Sequence, residues 1–422
     1  MAALTLRYAC SCAALRLWLL RLRPLRFRQE AASSRRELSS APRRNLMSQL
    51  VLLPLLASGY SPASIGRTRP SLAASQFSRH ARPSFVATHA AATDDARWLT
   101  HAIRLAHVGA IGSALAFPAV TNNAVGAVWR GYSSLALTRH PMFEASWAVT
   151  VFLLTIIFFE SLHLWRPGVL RHRLDGRPPA RPLRFLRDHW HKAAVPAFTY
   201  LLSIWGWHKL HLGRLLFGTP PGGFVMGAPT FVRVAAELTL GVWLYDLLFY
   251  PFHLAFHRLR LPAWRRLHSR HHRWAAGEGD GAAHNAVETV QNTYVDAGVQ
   301  VFINICVQQV SFWGRKHPLS RFLHNFMVPY LLTEAHSGYD LPFMSHRLWP
   351  AVLGGAPRHE VHHNRGGVYF HQYFKYLDDL LGHTPEAQAR KRQRQLERRL
   401  DDALPLKVGK SVQRQLDAAA GW

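Results

Sequence analysis

Cysteine is scarce in this chain of 422 residues. Of its three cysteines, Cys10 and Cys12 lie near the N-terminus and Cys306 lies far from both. Such a set excludes a disulfide framework and the cysteine-rich sites of structural zinc proteins. Histidine, with 26 residues, is therefore the abundant side chain for binding a transition metal.

Acidic residues are also few. The chain has 24 Asp and Glu against 51 Lys and Arg, which gives a formal net charge of +27. A basic excess can indicate a nucleic-acid binder, but such proteins place their basic residues beside exposed aromatic ones or in a recognised module. Here the arginine clusters flank apolar segments, a pattern typical of membrane topology. We therefore predict a membrane protein with no nucleic-acid partner.

The N-terminal region lacks lysine and nearly lacks acids. Residues 1–90 contain 14 Arg, no Lys and only Glu30 and Glu37. This composition resembles an organelle transit peptide, and the short apolar stretch at 50–60 would also suit a signal or a weak anchor. A disordered basic tail without a targeting role is the alternative. We predict that residues 1–95 are a leader outside the fold.

Long apolar segments follow the leader. The strongest, residues 142–165, supplies roughly the 20 apolar residues that a membrane helix needs. From these segments we predict an all-α polytopic membrane protein with four or more transmembrane helices. The other candidate spans are 193–207, 231–250 and 294–313, with a shorter segment at 322–335 and a weaker one at 103–128 that contains Pro118.

The basic loops predict the orientation of these spans. Residues 165–192 hold seven Arg and one Lys against two Asp, so this loop should be cytoplasmic. Residues 257–273 are basic again two crossings later. Both histidine-rich regions should then lie on the cytoplasmic side as a cap, and residues 294–335 should leave and return as a hairpin or re-entrant pair.

Histidines recur at helical spacing directly after the third span. His253 and His257 are four residues apart, a spacing that places two side chains on one helix face. Together with the six histidines of two further motifs, they make eight. Eight histidines are too many for one four-coordinate zinc, but they fit two ions with open positions. Imidazole binds Fe, Zn and Cu alike, so the spacing does not identify the metal. The other six form two H-x-x-H-H motifs, His268, His271 and His272, then His359, His362 and His363.

The second of these motifs has another interpretation. His359, Glu360 and His363 also satisfy H-E-x-x-H, in which two histidines hold zinc and the glutamate acts as general base of a protease. That interpretation would leave the other histidines without a role. An intramembrane zinc metalloprotease remains the alternative, and Glu360 is the residue that decides between the two.

The sequence resembles the sterol desaturase / fatty acid hydroxylase superfamily over about residues 230–383. The resemblance is carried by the motifs FYPFHLAFHR, LHSRHHR, EAHSGYDLP, RHEVHHN and YFKYLDDLLG. The stretch HSGYDLP is most similar to the sterol branch, which includes methylsterol oxidases and cholesterol side-chain hydroxylases. The resemblance implies a di-iron centre whose ligands are His253, His257, His268, His271, His272, His336, His359, His362 and His363.

Two positions depart from the family pattern. Asp340 stands where fatty-acyl members have a histidine, so it either binds one ion or orients a neighbouring ligand. His284 and Glu288 lie in a stretch that resembles His-Pro-x-Glu of sterol members, with Asn285 in place of proline. We expect supporting roles for His284 and Glu288.

The resemblance also implies the reaction. Members use two non-haem irons, O2 and two electrons to hydroxylate a sterol or related lipid, or less commonly to desaturate it, in the endoplasmic reticulum membrane. The segment GEGDG at 277–281 lacks the spacing of a dinucleotide fingerprint, so electrons should come from cytochrome b5 or an equivalent NAD(P)H-dependent donor. The Arg- and Ser-rich leader leaves a plastid or other organelle membrane open. We expect four regions, namely a leader at 1–95, transmembrane helices with a basic loop at 96–229, a catalytic domain at 230–385 and a charged tail at 386–422.

Overall fold

The computed structural model describes residues 94–174, 182–217, 226–259, 268, 271–272 and 285–419. The predicted leader lies almost wholly outside these ranges. All described residues belong to one unit, which runs from Pro83 to Trp422. Within them the chain is mostly helical, and the extended pairings are two isolated bridges, Arg173 with Tyr339 and Leu353 with Phe374. This agrees with the predicted all-α class.

The helices are numbered in chain order, and three short 3-10 helices connect some of them, at Ala136–Arg139, Pro167–His172 and Ala286–Val290. The bounds are α1 Asp94–Ala116, α2 Pro118–Ser134, α3 Phe143–Trp165, α4 Pro182–Lys209, α5 Leu212–Phe217, α6 Phe231–Arg258, α7 Tyr294–Val307, α8 Pro318–His336, α9 Ser345–Leu348, α10 Gly355–Arg365, α11 Tyr376–Leu381 and α12 Pro385–Ala419.

The weak candidate span at 103–128 is divided between α1 and α2. The two helices meet at Phe117 with a bend of 101°. Pro118 is the first residue of α2, where its missing N–H costs nothing, but its ring is incompatible with a continuous helix through this point. Proline therefore explains both the end of α1 and the start of α2.

Helix α3 matches the strongest predicted span to within one residue. It is the one helix in the described ranges that is long and apolar enough to cross a membrane unaided, and the bent pair α1–α2 would add a second if it counts as one span. The prediction of four or more transmembrane helices is therefore not confirmed. Helix α7 has only 14 residues, shorter than the predicted segment 294–313 and shorter than a spanning helix needs.

The main core joins α6, α7 and α8. Tyr245 and Phe249 of α6 pack with Val307 of α7 and Leu332 of α8, and Tyr373 closes the cluster. A second cluster packs Phe159 of α3 against residues 286–287 and 339–344. These contacts pack α6, α7 and α8 together, and the C-terminal ends of α6 and α8 carry His253, His257 and His336.

Candidate metal centre

Five histidines form a first group. His253 and His257 come from the last turns of α6, His268 and His272 lie between α6 and α7, and His362 comes from α10. One ring nitrogen from each of the five lies within 4.8 Å of the others. The Nε2 atom of His268 is 3.1 Å from that of His253 and 3.0 Å from that of His272.

Four other histidines form a second group. His271 precedes α7, His336 is the last residue of α8, and His359 and His363 lie on α10. Their Nε2 atoms are close together, at 3.1 Å between His336 and His271, 2.8 Å between His359 and His336, and 2.9 Å between His363 and His359. The structure thus brings all nine predicted histidines into two adjacent groups.

Each H-x-x-H-H motif contributes to both groups. His268 and His272, four residues apart, belong to the first group, and His271 belongs to the second. In α10 the assignment is reversed, because His359 and His363 belong to the second group and His362 to the first. Residues four apart on a helix share a face, while the third histidine projects to a neighbouring position. The spacing predicts that histidines four residues apart share a helix face. It does not predict that each motif contributes histidines to both groups.

The arrangement of protons on the rings fits bound cations. His253 donates from Nδ1 to the carbonyl oxygen of Phe370 at 2.6 Å, and His268 donates from Nδ1 to Asp296 at 2.9 Å. A neutral imidazole that donates through Nδ1 carries only a lone pair on Nε2. When both rings are neutral, their Nε2 lone pairs, 3.1 Å apart, face each other and repel. A metal ion between them would convert this repulsion into coordination.

Two further histidines, His336 and His362, show the same arrangement. His336 donates from Nδ1 to the carbonyl oxygen of Leu332, and His362 donates from Nδ1 to that of Val368, both at 2.7 Å. The Nε2 atom of His362 is buried without a hydrogen-bond partner among the described residues. Backbone carbonyls thus hold the Nε2 lone pairs of both groups toward their centres, the tautomer that metal ligands require.

The pKa values of three of these histidines also favour metal binding. Burial lowers the pKa of His271, His359 and His362 well below the ordinary histidine value, and the neighbouring imidazoles lower it further. These rings are therefore neutral at physiological pH. Neutral imidazole is the form of histidine that binds a metal.

Asp296 supports the first group and is absent from the sequence predictions. Its carboxylate, in the first turn of α7, is fully buried and accepts from both His268 Nδ1 and Gln300 Nε2. A carboxylate on the outer nitrogen of a histidine fixes the ring and makes it a stronger ligand. The available signal was an acidic residue inside an otherwise apolar segment, which is costly without a specific partner.

Asp246 supports the carbonyls that orient the rings, and the sequence reasoning missed it as well. This buried residue of α6 accepts from the backbone N–H groups of Gln372 and Phe374 and from His371 Nδ1. Asp378 accepts from the N–H groups of Phe370 and His371. The two carboxylates therefore fix the loop after α10, which carries the oxygens bonded to His253 and His362.

Asp340 lies in neither histidine group. Its carboxylate accepts from His346 Nε2 at 2.8 Å and forms an ion pair with Arg347. Asp340 is therefore not among the residues that could bind an ion directly. Glu288 is buried, and its predicted neighbour His284 lies outside the described residues.

Glu360 also lies outside both groups. It is on α10 between their ligands, and its Oε1 atom accepts from Asn364 Nδ2 at 2.9 Å, one turn further along the helix. His359 and His363, the two zinc ligands in the protease interpretation, share their group with His271 and His336. The geometry therefore places four imidazoles in this group, whereas a zinc protease needs two histidines and one further ligand.

Comparison with known proteins gives one matching family. Residues 238–383 match the fatty acid hydroxylase family. A cholesterol 25-hydroxylase-like protein of Danio rerio is 25% identical over 252 residues, covering 58% of this chain and 92% of the relative. The cholesterol 25-hydroxylases of Mus musculus and Homo sapiens are 25% and 24% identical over 254 residues, covering 78% and 85% of those proteins. No solved structure matches the chain.

Proposed function

Through residues 238–383 the chain belongs to the sterol desaturase / fatty acid hydroxylase superfamily and resembles its sterol branch, and we propose that it is a membrane-bound non-haem di-iron oxygenase. It hydroxylates a sterol or a related lipid, inserting one atom of O2 into a C–H bond. The observation that carries the proposal is the pair of adjacent groups of buried and partly buried imidazoles.

The nine histidines hold the metals in this proposal. The five of the first group bind one ion and the four of the second bind the other. Iron bound there would supply the redox chemistry with O2 that attacks an unactivated C–H bond, which zinc cannot do because it has no redox states. The nearest carboxylate, Asp296, accepts from the ligand His268 and lies outside both groups, so the ions keep more positive charge than in carboxylate-rich sites.

The chain's other residues orient the ligands and exclude water. Asp296 and the carbonyl oxygens of Phe370, Val368 and Leu332 fix the ring tautomers. Phe370, which is fully buried, lies beside His253, His257 and His362. Apolar walls of this kind protect an oxidation from competing reactions with water.

The electrons come from a separate protein, because the sequence has no dinucleotide fingerprint. By resemblance the donor is cytochrome b5 or an equivalent NAD(P)H-dependent reductase. The enzyme would lie in the endoplasmic reticulum membrane with its histidine groups facing the cytoplasm. An organelle membrane is the alternative if the leader acts as a transit peptide.

No specific observation supports the desaturase or the protease alternative. Desaturation begins with the same hydrogen abstraction, so the geometry alone does not separate it from hydroxylation, but the relatives are named hydroxylases. The protease requires Glu360 beside the metal, and this residue instead accepts from Asn364. Hydroxylation of a lipid is therefore the function best supported.

Expression in a lipid-producing host tests the proposal. Membranes containing the wild-type chain should accumulate an oxidised sterol or related lipid, and purified protein should contain two irons per chain. His271→Ala should abolish the product, while the matched variant His107→Ala, on the exposed face of α1, should retain it. Absence of any oxidised lipid with the wild type, or full activity of His271→Ala, would refute the di-iron oxygenase.

A further inference from the structure

An apolar cavity lies beside the candidate metal centre. It is an open pocket of about 740 Å³, its open side included, between α3, α4, α7 and α8, with contributions from α6 and the segment before α7. Most of its walls are aliphatic or aromatic, as at Phe152, Val301 and Leu332.

One end of the cavity adjoins both histidine groups. Leu332 lines it, and the carbonyl oxygen of the same residue accepts from His336 of the second group. Gln300 also lines it and donates to Asp296, which binds His268 of the first group. A ligand at this end is therefore separated from the second group by one residue, Leu332, and from the first group by two, Gln300 and Asp296.

A polar pair lies at the other end. Asn304 is eight residues beyond Asp296 on α7, or about 12 Å along the helix axis, on the same face. Its Nδ2 atom donates to the hydroxyl oxygen of Tyr200 at 3.1 Å, and both residues line the cavity. The pair thus lies away from the histidines in an otherwise apolar wall.

The orientation of the Asn304 amide is fixed from behind. Its Nδ2 atom also donates to Asn325 Oδ1 at 3.2 Å, and its Oδ1 atom accepts from His324 Nε2 at 3.0 Å. The hydroxyl oxygen of Tyr200 accepts from Asn304, but its own proton has no acceptor among the described residues. Tyr200 is partly buried, and a hydroxyl can donate as well as accept, so this proton is available to a ligand oxygen.

We propose that Tyr200, held by Asn304, binds the hydroxyl head group of the lipid, whose apolar tail extends through the cavity toward the histidine groups. The inference rests on the proposed function and names the orientation of its substrate. A carbon to be oxidised must lie at the metal end, so the polar end of an amphipathic sterol must lie at the far end. There its oxygen needs a partner, because a buried polar group without one is destabilising.

The charge of the walls specifies the kind of head group. None of the described residues that line the cavity is a lysine or an arginine. A carboxylate or phosphate head group would therefore be buried without a counter-charge, which is strongly unfavourable. A neutral hydroxyl, as in a sterol, is compatible with the tyrosine donor.

Direct binding tests the head-group site independently of turnover. Purified wild-type protein should bind cholesterol about tenfold more tightly than cholest-5-ene, which lacks the hydroxyl, and should bind cholesterol sulfate poorly. Tyr200→Phe removes only the donor, so it should weaken cholesterol binding about tenfold, the size of one hydrogen bond, and leave cholest-5-ene unchanged. Tyr294→Phe, at an exposed position of α7, is the matched control and should bind both like the wild type. Thermal melts of each variant establish that it is folded.

The outcomes separate the inference from the proposed function. In turnover, Tyr200→Phe should raise KM for cholesterol about tenfold and change kcat little. If Tyr200→Phe binds both sterols like the wild type, or if the wild type does not distinguish them, the head-group site is wrong even when lipid is still oxidised. If the wild type distinguishes the sterols but oxidises no lipid, the head-group site stands and the proposed oxygenase fails.

Discussion

At the residue scale, each histidine of the candidate metal centre belongs to one of two groups. His362 and His271 belong to different groups, so each variant removes a ligand from a different ion. Both His271→Ala and His362→Ala should reduce product below detection, because losing one ligand disturbs affinity and geometry together. Elemental analysis of the purified variants should show iron below two per chain. Two tightly held irons in either variant would contradict the ligand assignment.

Asp296 should act on the metal only through His268. Asp296→Asn keeps the shape and one hydrogen bond but removes the charge that makes His268 a stronger ligand. Loss of such an outer partner typically costs about 10- to 100-fold in metal affinity or activity. Competition with a chelator measures this directly. Asp379→Asn, which breaks a largely exposed ion pair with Arg358, should retain the metal like the wild type.

Lys316 should make stability depend on pH. Its Nζ atom is buried without a hydrogen-bond partner among the described residues. Burial lowers the pKa of Lys316 to about 7, although the charge of Glu237 acts in the opposite direction. The unfolded chain keeps a lysine pKa of about 10.4, so between these values it binds more protons than the folded chain, and stability rises with pH.

Lys316→Met should remove this dependence. The melting temperature in detergent should rise less between pH 6.5 and 9 for Lys316→Met than for the wild type, and the variant should be the more stable one at pH 6.5. Lys391→Met, on exposed α12, should follow the wild-type profile. A wild-type-like profile for Lys316→Met would show that this ammonium has a partner.

Sequence spacing was sufficient to find the histidines but not their supporting residues. His253, His257 and the two H-x-x-H-H motifs are detectable because their partners lie one helical turn away. Asp296 and Asp246 act across 28 and 125 residues, on His268 and His371, so no local pattern shows them. The remaining signal was the presence of acidic residues inside apolar segments. That signal marks their positions but does not identify the residues that they bond to.

At the element scale, helix ends decide how the site is built. The sequence predicts α3 well, because an unbroken apolar run of its length has few alternatives. It predicts a third span ending at 250, whereas α6 continues through Pro251 to Arg258 and carries His253 and His257 in its last turns. Proline at 251 was a reason to end the helix, and packing of Phe249 and Phe256 in the interior overrides it.

The start of α10 depends on Gly355. Its φ of +48° is in the left-handed region, and a Cβ atom there would lie 2.6 Å from His346 Nδ1. Gly355→Ala should therefore shift α10, move His359 and His363, and lower both metal content and melting temperature. Gly298→Ala, on α7 with open space around the added carbon, is the matched control and should be neutral or slightly stabilising. Wild-type metal content in Gly355→Ala would show that the helix tolerates the shift.

At the scale of the whole molecule, the arginine-rich loops predict which parts share one side of the membrane. Among the described residues, one helix is long and apolar enough to cross a membrane alone. Sidedness can be measured. Tags inserted near residue 175 and at the C-terminus should both be accessible from the cytosol, since the loop at 165–192 is strongly basic.

Protease protection of sealed microsomes tests this arrangement. Both tags should be digested without detergent, and a marker protein inside the microsomes should be protected. Opposite sidedness of the two tags would overturn the predicted topology, because both histidine-rich regions would then not face the same electron donor.

The central claim is that α10 belongs to an oxygenase and not to a protease, and labelled oxygen tests it most directly. Membranes carrying wild type, Glu360→Gln or His359→Ala are incubated with labelled O2 and an electron donor, and extracted lipids are analysed by mass spectrometry. Because Glu360 lies outside both histidine groups, Glu360→Gln should retain a large part of the label incorporated by the wild type. His359→Ala should incorporate none. If no lipid acquires label from O2 and Glu360→Gln instead blocks cleavage of a membrane protein, the oxygenase account is wrong and the zinc protease replaces it.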